Sequence, residues 1–370
     1  MSVVRFISQK HPHERNNMLN KKNVAVIFGG RSSEHDISCI SATTIIENID
    51  TELYNLHLIG ITKEGAWLKV NSTEEIKNKT WTESKVTAII SPDVSHNGIL
   101  YIENNQMTLQ TIDVIFPVLH GLYGEDGTIQ GLFEMSNIPY VGCGVIASGL
   151  SMDKFFTKVI VERLGIRQAQ FVPVFKRHLN DMDKVVAKVE ASLSYPVFVK
   201  PSNAGSSVGV SKAYNREELI DALNLAAIHD KKILVEETII GRELECAVLG
   251  SSDIKASGVG EVVAAADFYD FDAKYNNNES KTDLSPVLPE GAEDKIRENA
   301  IKIFRAVDGF GLARIDFFLT KDTNEVVFNE LNTLPGFTSI SMYPMLWAKQ
   351  GIEKKELLST LIEMAYERNA

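Results

Sequence analysis

The residues with the most chemistry within reach of one another lie in ARIDFFLTKDTNEVVFNELNTLPG (313–336). Alternation in Arg314–Leu319 and Glu325–Leu331 predicts two strands with LTKDTN as the turn. With the hairpin centred near Thr323, Asp316 and Glu330 each lie seven residues out and face one another. The two-residue period of a strand then puts Arg314, Asp316, Glu330 and Asn332 on one face. Facing carboxylates repel unless a cation sits between them. Hard oxygen donors in this number suit Mg²⁺, which takes few protein ligands and shares the rest with phosphate and water. A solvated surface hairpin is the alternative, but NELN runs on into a Gly-containing loop instead of ending in solvent.

A second segment suits the anion that such a cation would accompany. In YPVFVKPSNAGSSVGVSKA (195–213), two apolar stretches flank PSNAGSS. Glycines let a backbone approach phosphate oxygens, Ser206 and Ser207 add donors, and Lys200 ends the first strand within reach. No GxxxxGK[ST] occurs, and a plain hairpin is the competing explanation. GGRSSEHD (29–36) follows a strand and opens a helix, so Glu34 either satisfies that helix's N–H groups or serves a ligand. HGLYGEDG (120–127) is either a set of tight turns or a site wall, and His120 either a satisfied loop histidine or a contact.

The elements that must hold these residues are those of an α/β protein. NVAVIF (23–28), Gly29-Gly30 and a helix over 35–48 open an α/β unit, with strands at 54–62 and 113–121. The stretch KVNSTEEIKNKTWTESK reads as polar surface. A helix around 131–137 leads to IPYVG, and a boundary falls near residue 140. The helix over 152–165 has Asp153 at its positive end and Gly165 at its C′ position. Further elements are a helix over 216–229, a strand at 233–239, a Gly- and Asn-containing loop around 267–285, a helix near 293–308 and a closing helix over 353–366.

The chain has 370 residues, enough for two or three domains, with 44 % hydrophobic and 24 % charged residues. Disorder, collagen and coiled-coil arrays are excluded by that usage. A net charge of −11 argues against a nucleic-acid-coating protein. Cys39, Cys143 and Cys246 show no pairing or zinc spacing, which fits a reducing cytosol. Apolar runs such as 24–28 and 259–266 are too short to span a membrane. Residues 1–22 are polar and basic without a signal-peptide h-region, and read as a disordered extension.

Taken together the blocks resemble the D-alanine–D-alanine ligases of the ATP-grasp superfamily. VAVIFGGRSSEHDIS, FPVLHGLYGEDGTIQG, IPYVG, MDK, VKPSNAGSSVG, EETIIGRELE, FYDFDAKY, GLARIDFF and FNELNTLPGFTSISMYP stand in the family's order. The resemblance implies a three-domain α/β ATP-grasp architecture: an N-terminal parallel-sheet domain (23–140), a central ATP-grasp domain (141–232) and a C-terminal ATP-grasp domain (233–370) with a mobile loop over 267–285. It implies ATP-dependent joining of two D-alanines through an acyl phosphate, in a cytoplasmic homodimer supplying peptidoglycan precursor.

The same resemblance implies residue roles. Lys154 and Lys200 contact ATP phosphates with Ser207, Lys274 supports the γ-phosphate or the second substrate's carboxylate, and Glu236 and Glu243 hold adenine and ribose. Asp316, Glu330 and Asn332 bind two Mg²⁺ ions, for which Mn²⁺ can substitute. Glu34 pairs with the first D-alanine's ammonium, with His120 nearby. Arg314 and the Gly336 N–H stabilise the tetrahedral oxyanion. Ser341 contacts the second D-alanine's carboxylate. Ser206 and Tyr275 join Glu34 in tying a lid over the site, where water would hydrolyse the acyl phosphate. Ile340 departs from the His of many relatives, and Glu237 from a Lys. Tyr275, in place of a His-bearing loop, favours an amine over D-lactate. Met342 is expected to line the second substrate's pocket and to disfavour D-serine. Another carboxylate–amine ligase and a non-catalytic nucleotide-binding protein are the rival functions.

Overall fold

The computed structural model describes residues 21–205, 208–263 and 281–369. Ser206, Ser207, Lys274, Tyr275 and most of the expected 267–285 loop lie outside the described residues, as do residues 1–20.

Three sheets organise the chain. The first contains β1 (Lys22–Gly29), β2 (Tyr54–Ile61), β3 (Trp67–Val70), β4 (Thr87–Ile90), β5 (Gly98–Glu103), β6 (Gln106–Thr111) and β7 (Val114–Val118). Its order is β6-β5-β4-β3-β2-β1-β7. Only β2, β1 and β7 are parallel, with Val26 opposite Leu58 and Phe116. The parallel sheet expected here is therefore extended by an antiparallel meander, β3 to β6. The stretch read as polar surface carries buried anchors: Val70, Ile76 and Trp81 are almost fully buried. Trp81 packs edge-on against Phe28 with ring centroids 5.3 Å apart. Helix α1 (His35–Asn48) makes the crossover from β1 to β2, as expected.

The second sheet is antiparallel, with β8 (Phe171–Phe175), β9 (Val197–Pro201), β10 (Ser211–Ala213) and β11 (Lys232–Glu237) in the order β10-β9-β11-β8. It packs on two helices, 182–190 and 216–229, and its core contains only residues between Val172 and Val235. The helix before it, α5 of the chain order (Lys154–Arg163), is capped by Asp153 and followed by Gly165 at φ 68°, as the sequence predicts.

The third sheet holds β12 (Gly241–Gly250), β13 (Lys255–Val263), β14 (Lys281–Asp283), β15 (Gly311–Thr320) and β16 (Val326–Asn332), in the order β14-β13-β12-β15-β16. The end of the expected 267–285 loop is thus a strand, β14, paired with β13. The closing helix, Lys354–Ala365, packs on the first sheet: Leu357, Leu361 and Ile362 share a core with Val24, Phe28 and Phe116. Val262, Leu312 and Met342 belong to that same core, so the two ends of the chain are joined through one apolar interior.

Candidate active site

The hairpin β15–β16 has the register read from the sequence. Asp316 pairs with Glu330 and Arg314 with Asn332, and a bulge follows Asp316. Arg314 donates from Nε to Asp316 Oδ1 at 2.8 Å and from Nη2 to Oδ2 at 2.7 Å. Asn332 Nδ2 donates to the same Oδ2 at 3.0 Å. Burial alone would make Arg314 easier to deprotonate, but Asp316 and Glu245 drive its pKa well above the ordinary value. The sequence reading missed Glu245. It lies on β12 directly opposite Asp316, with Oε2 3.2 Å from Arg314 Nε. Three carboxylates, Glu245, Asp316 and Glu330, therefore cross three adjacent strands. Glu243, two residues earlier on β12, shares the face of Glu245.

Among the described residues no three His, Cys, Asp or Glu side chains form a ready metal cage. The available set is two carboxylates and one carboxamide, which fits a hard divalent cation that completes its shell with phosphate and water.

The lysines gather on the second sheet and the helix before it. Lys154, first residue of its helix, donates to the Ala204 carbonyl at 2.7 Å and reaches Glu330 Oε2 at 3.9 Å. It bridges the second sheet's loop and the acidic hairpin. Asp153 beneath it accepts from Phe155 N, Phe156 N and Ser202 Oγ, the last at 2.6 Å, and pairs with Lys232. Burial pushes Asp153 up, but Lys232 and Ser202 outweigh it, and its pKa is lowered. Lys200 lies 2.7 Å from Glu236 Oε2, and Lys158 lies 3.3 Å from Oε1. Lys158 is 1 % exposed and was not anticipated from the sequence. Burial lowers its pKa, while burial of Glu236 is outweighed by the two ammonium groups, which hold that carboxylate low. Glu236, expected at adenine, has a lysine against each of its carboxylate oxygens. Glu237 instead pairs with Arg167 at 2.7 Å.

Glu34 makes no cap bond to its own helix, so the helix-capping alternative fails. Its carboxylate turns to the glycines of two other segments. A Cβ at Gly121 or at Gly205 would lie 2.5 Å from Glu34 Oε2. A side chain at either position would displace the Glu34 carboxylate, and Gly121 also has φ 71°. His120 is the satisfied loop histidine: Nδ1–H donates to Leu334 O at 3.0 Å and Nε2 pairs with Ser41 Oγ at 3.2 Å. Burial lowers its pKa against the pull of Glu34. Glu125, two residues before the end of HGLYGEDG, was also missed. It accepts from Gly121 N at 2.8 Å and Leu334 N at 2.9 Å. Burial, with Glu34 beside it, pushes its pKa up to about 8.

These contacts pin the loop 333–338 to the first sheet, and Ser41 Oγ adds a bond from Phe337 N at 3.3 Å. Gly336 lies in that loop against Ser341, whose Oγ accepts from Thr338 N at 2.9 Å. Met342 lies in the core shared by the two chain ends. It is 3 % exposed, and a Cβ at Gly260 would lie 2.5 Å from its sulfur. It stands at the first position of its helix, Met342–Lys349.

An antiparallel sheet carrying Lys200, an acidic hairpin reached by Lys154, and an α/β unit together make up the site. The D-ala D-ala ligase N-terminus model matches residues 23–143, and the D-ala D-ala ligase C-terminus model matches 160–363. The D-alanine–D-alanine ligase of Ruminiclostridium cellulolyticum is 51 % identical over 364 residues, covering 95 % of this chain and 96 % of that one. The crystal structure of VanG D-Ala:D-Ser ligase from Enterococcus faecalis superposes with a TM-score of 0.85 at 39 % identity, covering 93 % of this chain and 99 % of the other. The D-alanine–D-alanine ligase from Coxiella burnetii gives 0.80 at 32 %, with 94 % of each chain covered. The chain belongs to the D-alanine–D-alanine ligase family.

Proposed function

We propose that the chain joins two D-alanines to D-alanyl-D-alanine, with ATP converted to ADP and phosphate. The observation that carries this is the single face bearing Arg314, Asp316, Glu330 and Asn332, bridged by Lys154 to the lysine-lined sheet. A carboxylate oxygen of the first D-alanine attacks the γ-phosphorus of ATP, and ADP leaves. The amine of the second attacks the acyl phosphate carbon, and phosphate departs from the tetrahedral species.

Donor and acceptor are both anions, so cationic groups must offset their repulsion. Lys154 and Lys200 take phosphate oxygens, with Ser207 and Lys274 beside them by resemblance. Glu243 takes the ribose and the backbone near Glu236 the adenine. Asp316, Glu330 and Asn332 would hold two Mg²⁺ ions, with Mn²⁺ as substitute, and these supply charge neutralisation on the transferring phosphoryl group. Glu34 binds the first ammonium at the Gly121–Gly205 junction, and His120 positions the loop behind it. Arg314 and the Gly336 N–H face the oxyanion. Ser341 receives the second carboxylate. Ser206 and Tyr275 close the lid with Glu34.

The second substrate is D-alanine by likeness to the many relatives of that name, and D-serine is the rival that the VanG likeness supports. D-Lactate is disfavoured through Tyr275. The units 23–140, 141–232 and 233–370, a homodimer and a cytoplasmic site of peptidoglycan precursor supply complete the reading. No helix among the described residues is long and apolar enough to cross a membrane, which fits it. Phosphate release with ATP and Mg²⁺, with and without D-alanine, tests it. Release that ignores D-alanine, with no dipeptide mass, refutes it.

A further inference from the structure

Arg314 is half-buried, with its side chain 17 % exposed, and Asp316 holds it with both oxygens. Asp316 Oδ2 also accepts from Asn332 at 3.0 Å. An ionised carboxylate has about four lone-pair positions, so these bonds use most of them. The proposed function gives the same carboxylate to a divalent cation. That cation would draw on the same oxygens and repel a guanidinium at this distance. Arg314 then needs another anchor to stay aimed at the oxyanion.

Glu245 is placed for this. It is buried, belongs to β12 and not to the hairpin, and its Oε2 lies 3.2 Å from Arg314 Nε. We propose that Glu245 is a positioning residue that retains Arg314 in the site when Asp316 turns to a divalent cation. The inference rests on the ligase reading for the cation at Asp316. It adds a division of labour: β15 and β16 bind the metal, while β12 keeps the arginine.

The test uses the full chain with Glu245→Gln, which removes the charge, and Glu245→Asp, which keeps it. Proton exchange at Arg314 Nε–H is followed by NMR with ¹⁵N-arginine, the signal being assigned by its loss in Arg314→Lys. Without metal, wild type and Glu245→Gln should exchange alike, because Asp316 serves both. With Mg²⁺ added, Glu245→Gln should exchange about tenfold faster while wild type stays protected. Mn²⁺ affinity, read by electron paramagnetic resonance, should stay within about threefold. The ligation kcat should fall about tenfold or more with KM for ATP little changed, and Glu245→Asp should recover part of it. Mg²⁺-independent exchange in Glu245→Gln overturns the proposal. So does a tenfold loss of Mn²⁺ affinity, which would make Glu245 a ligand, and so does a wild type that binds no Mn²⁺. A wild type that binds Mn²⁺ and makes no dipeptide refutes the substrate reading alone, since the exchange measurement still decides Glu245.

Discussion

The central sheet and the body formed by the two chain ends are built in opposite ways. The central core closes on itself, from Val172 to Val235. The other body shares one core between Val24, Leu312 and Leu361, residues from both ends of the sequence. Their charge is opposite too. In the central sheet one carboxylate, Glu236, sits between Lys158 and Lys200. On the hairpin one cation, Arg314, sits among Glu245, Asp316 and Glu330. Each half is complementary to what the other half's ligand brings: the lysines to phosphate, the carboxylates to the divalent cation that travels with it. A displacement of the central sheet breaks no shared core, whereas the loop carrying Gly336 is tied to the first sheet through His120, Glu125 and Ser41.

The largest effect should come from breaking the acidic half. Glu330→Gln removes one metal-binding charge, and kcat should fall about a hundredfold or more. The melting temperature should move by only a few degrees, because relief of the Asp316–Glu330 repulsion offsets the lost contacts. Phosphate release and thermal unfolding of the same sample check both parts. An unfolded variant, as opposed to a folded inactive one, would count against the metal assignment.

Glu125 tests the tie between hairpin loop and first sheet. Its carboxyl titrates at about 8 in the folded protein, against an ordinary 4.5. Between those values the native state keeps a proton that the unfolded chain has released. The unfolded state therefore binds fewer protons, and stability falls as pH rises across this window, levelling above it. Linkage puts the fall at a few kcal/mol. Urea unfolding at pH 5 and pH 8 should show it in wild type, and Glu125→Gln should flatten it. The variant should also be less stable at pH 5, because its amide nitrogen must face the N–H of Gly121 or Leu334. Equal slopes in the two proteins would remove Glu125 from this role.

The hairpin was legible in the sequence because strand period and a short turn fix which residues face each other. Asp316 opposite Glu330 followed from counting alone. The helix at 35–48 was legible from apolar spacing. The meander was not, since β3 and β4 have four residues each and β6 is nearly all exposed, too little for an alternation to register. Glu245, Lys158 and Glu125 were missed for a different reason. Their partners lie on other elements, and no local pattern distinguishes a buried charge with a distant partner from a solvated one. The burial of Met342 was not legible either: its neighbour Ser341 suggested a pocket, and its packing against Gly260 depends on a distant strand.

The basic half has a smaller test. Lys158→Met leaves buried Glu236 with Lys200 as its remaining lysine partner. Because one lysine stays, the loss should be about 2 kcal/mol, below the cost of leaving a buried charge alone. Denaturant unfolding should show it, with the KM for ATP rising as Lys200 is drawn further to Glu236. Unchanged stability and unchanged KM would mean that the two lysines do not share that carboxylate.

The smallest effect is expected at Met342, and its smallness sharpens the contrast between shared core and site. The side chain packs on Gly260 between its helix and β13, within the core that joins the chain ends. Met342→Leu nearly conserves volume and should cost under about 1.5 kcal/mol. Met342→Ala opens a cavity and should cost about 2–4 kcal/mol. Neither should alter the choice of second substrate if packing against Gly260 is the whole of what the side chain does. Even a pocket wall of apolar atoms rejects an added hydroxyl by only about a hundredfold, so any contribution from Met342 would be visible within that range. Equimolar D-alanine and D-serine, scored by product mass, should give the same product ratio in wild type and both variants within about twofold. A roughly tenfold gain of D-alanyl-D-serine in Met342→Ala alone would place the pocket against this helix and move Met342 from the shared core's account to the substrate's.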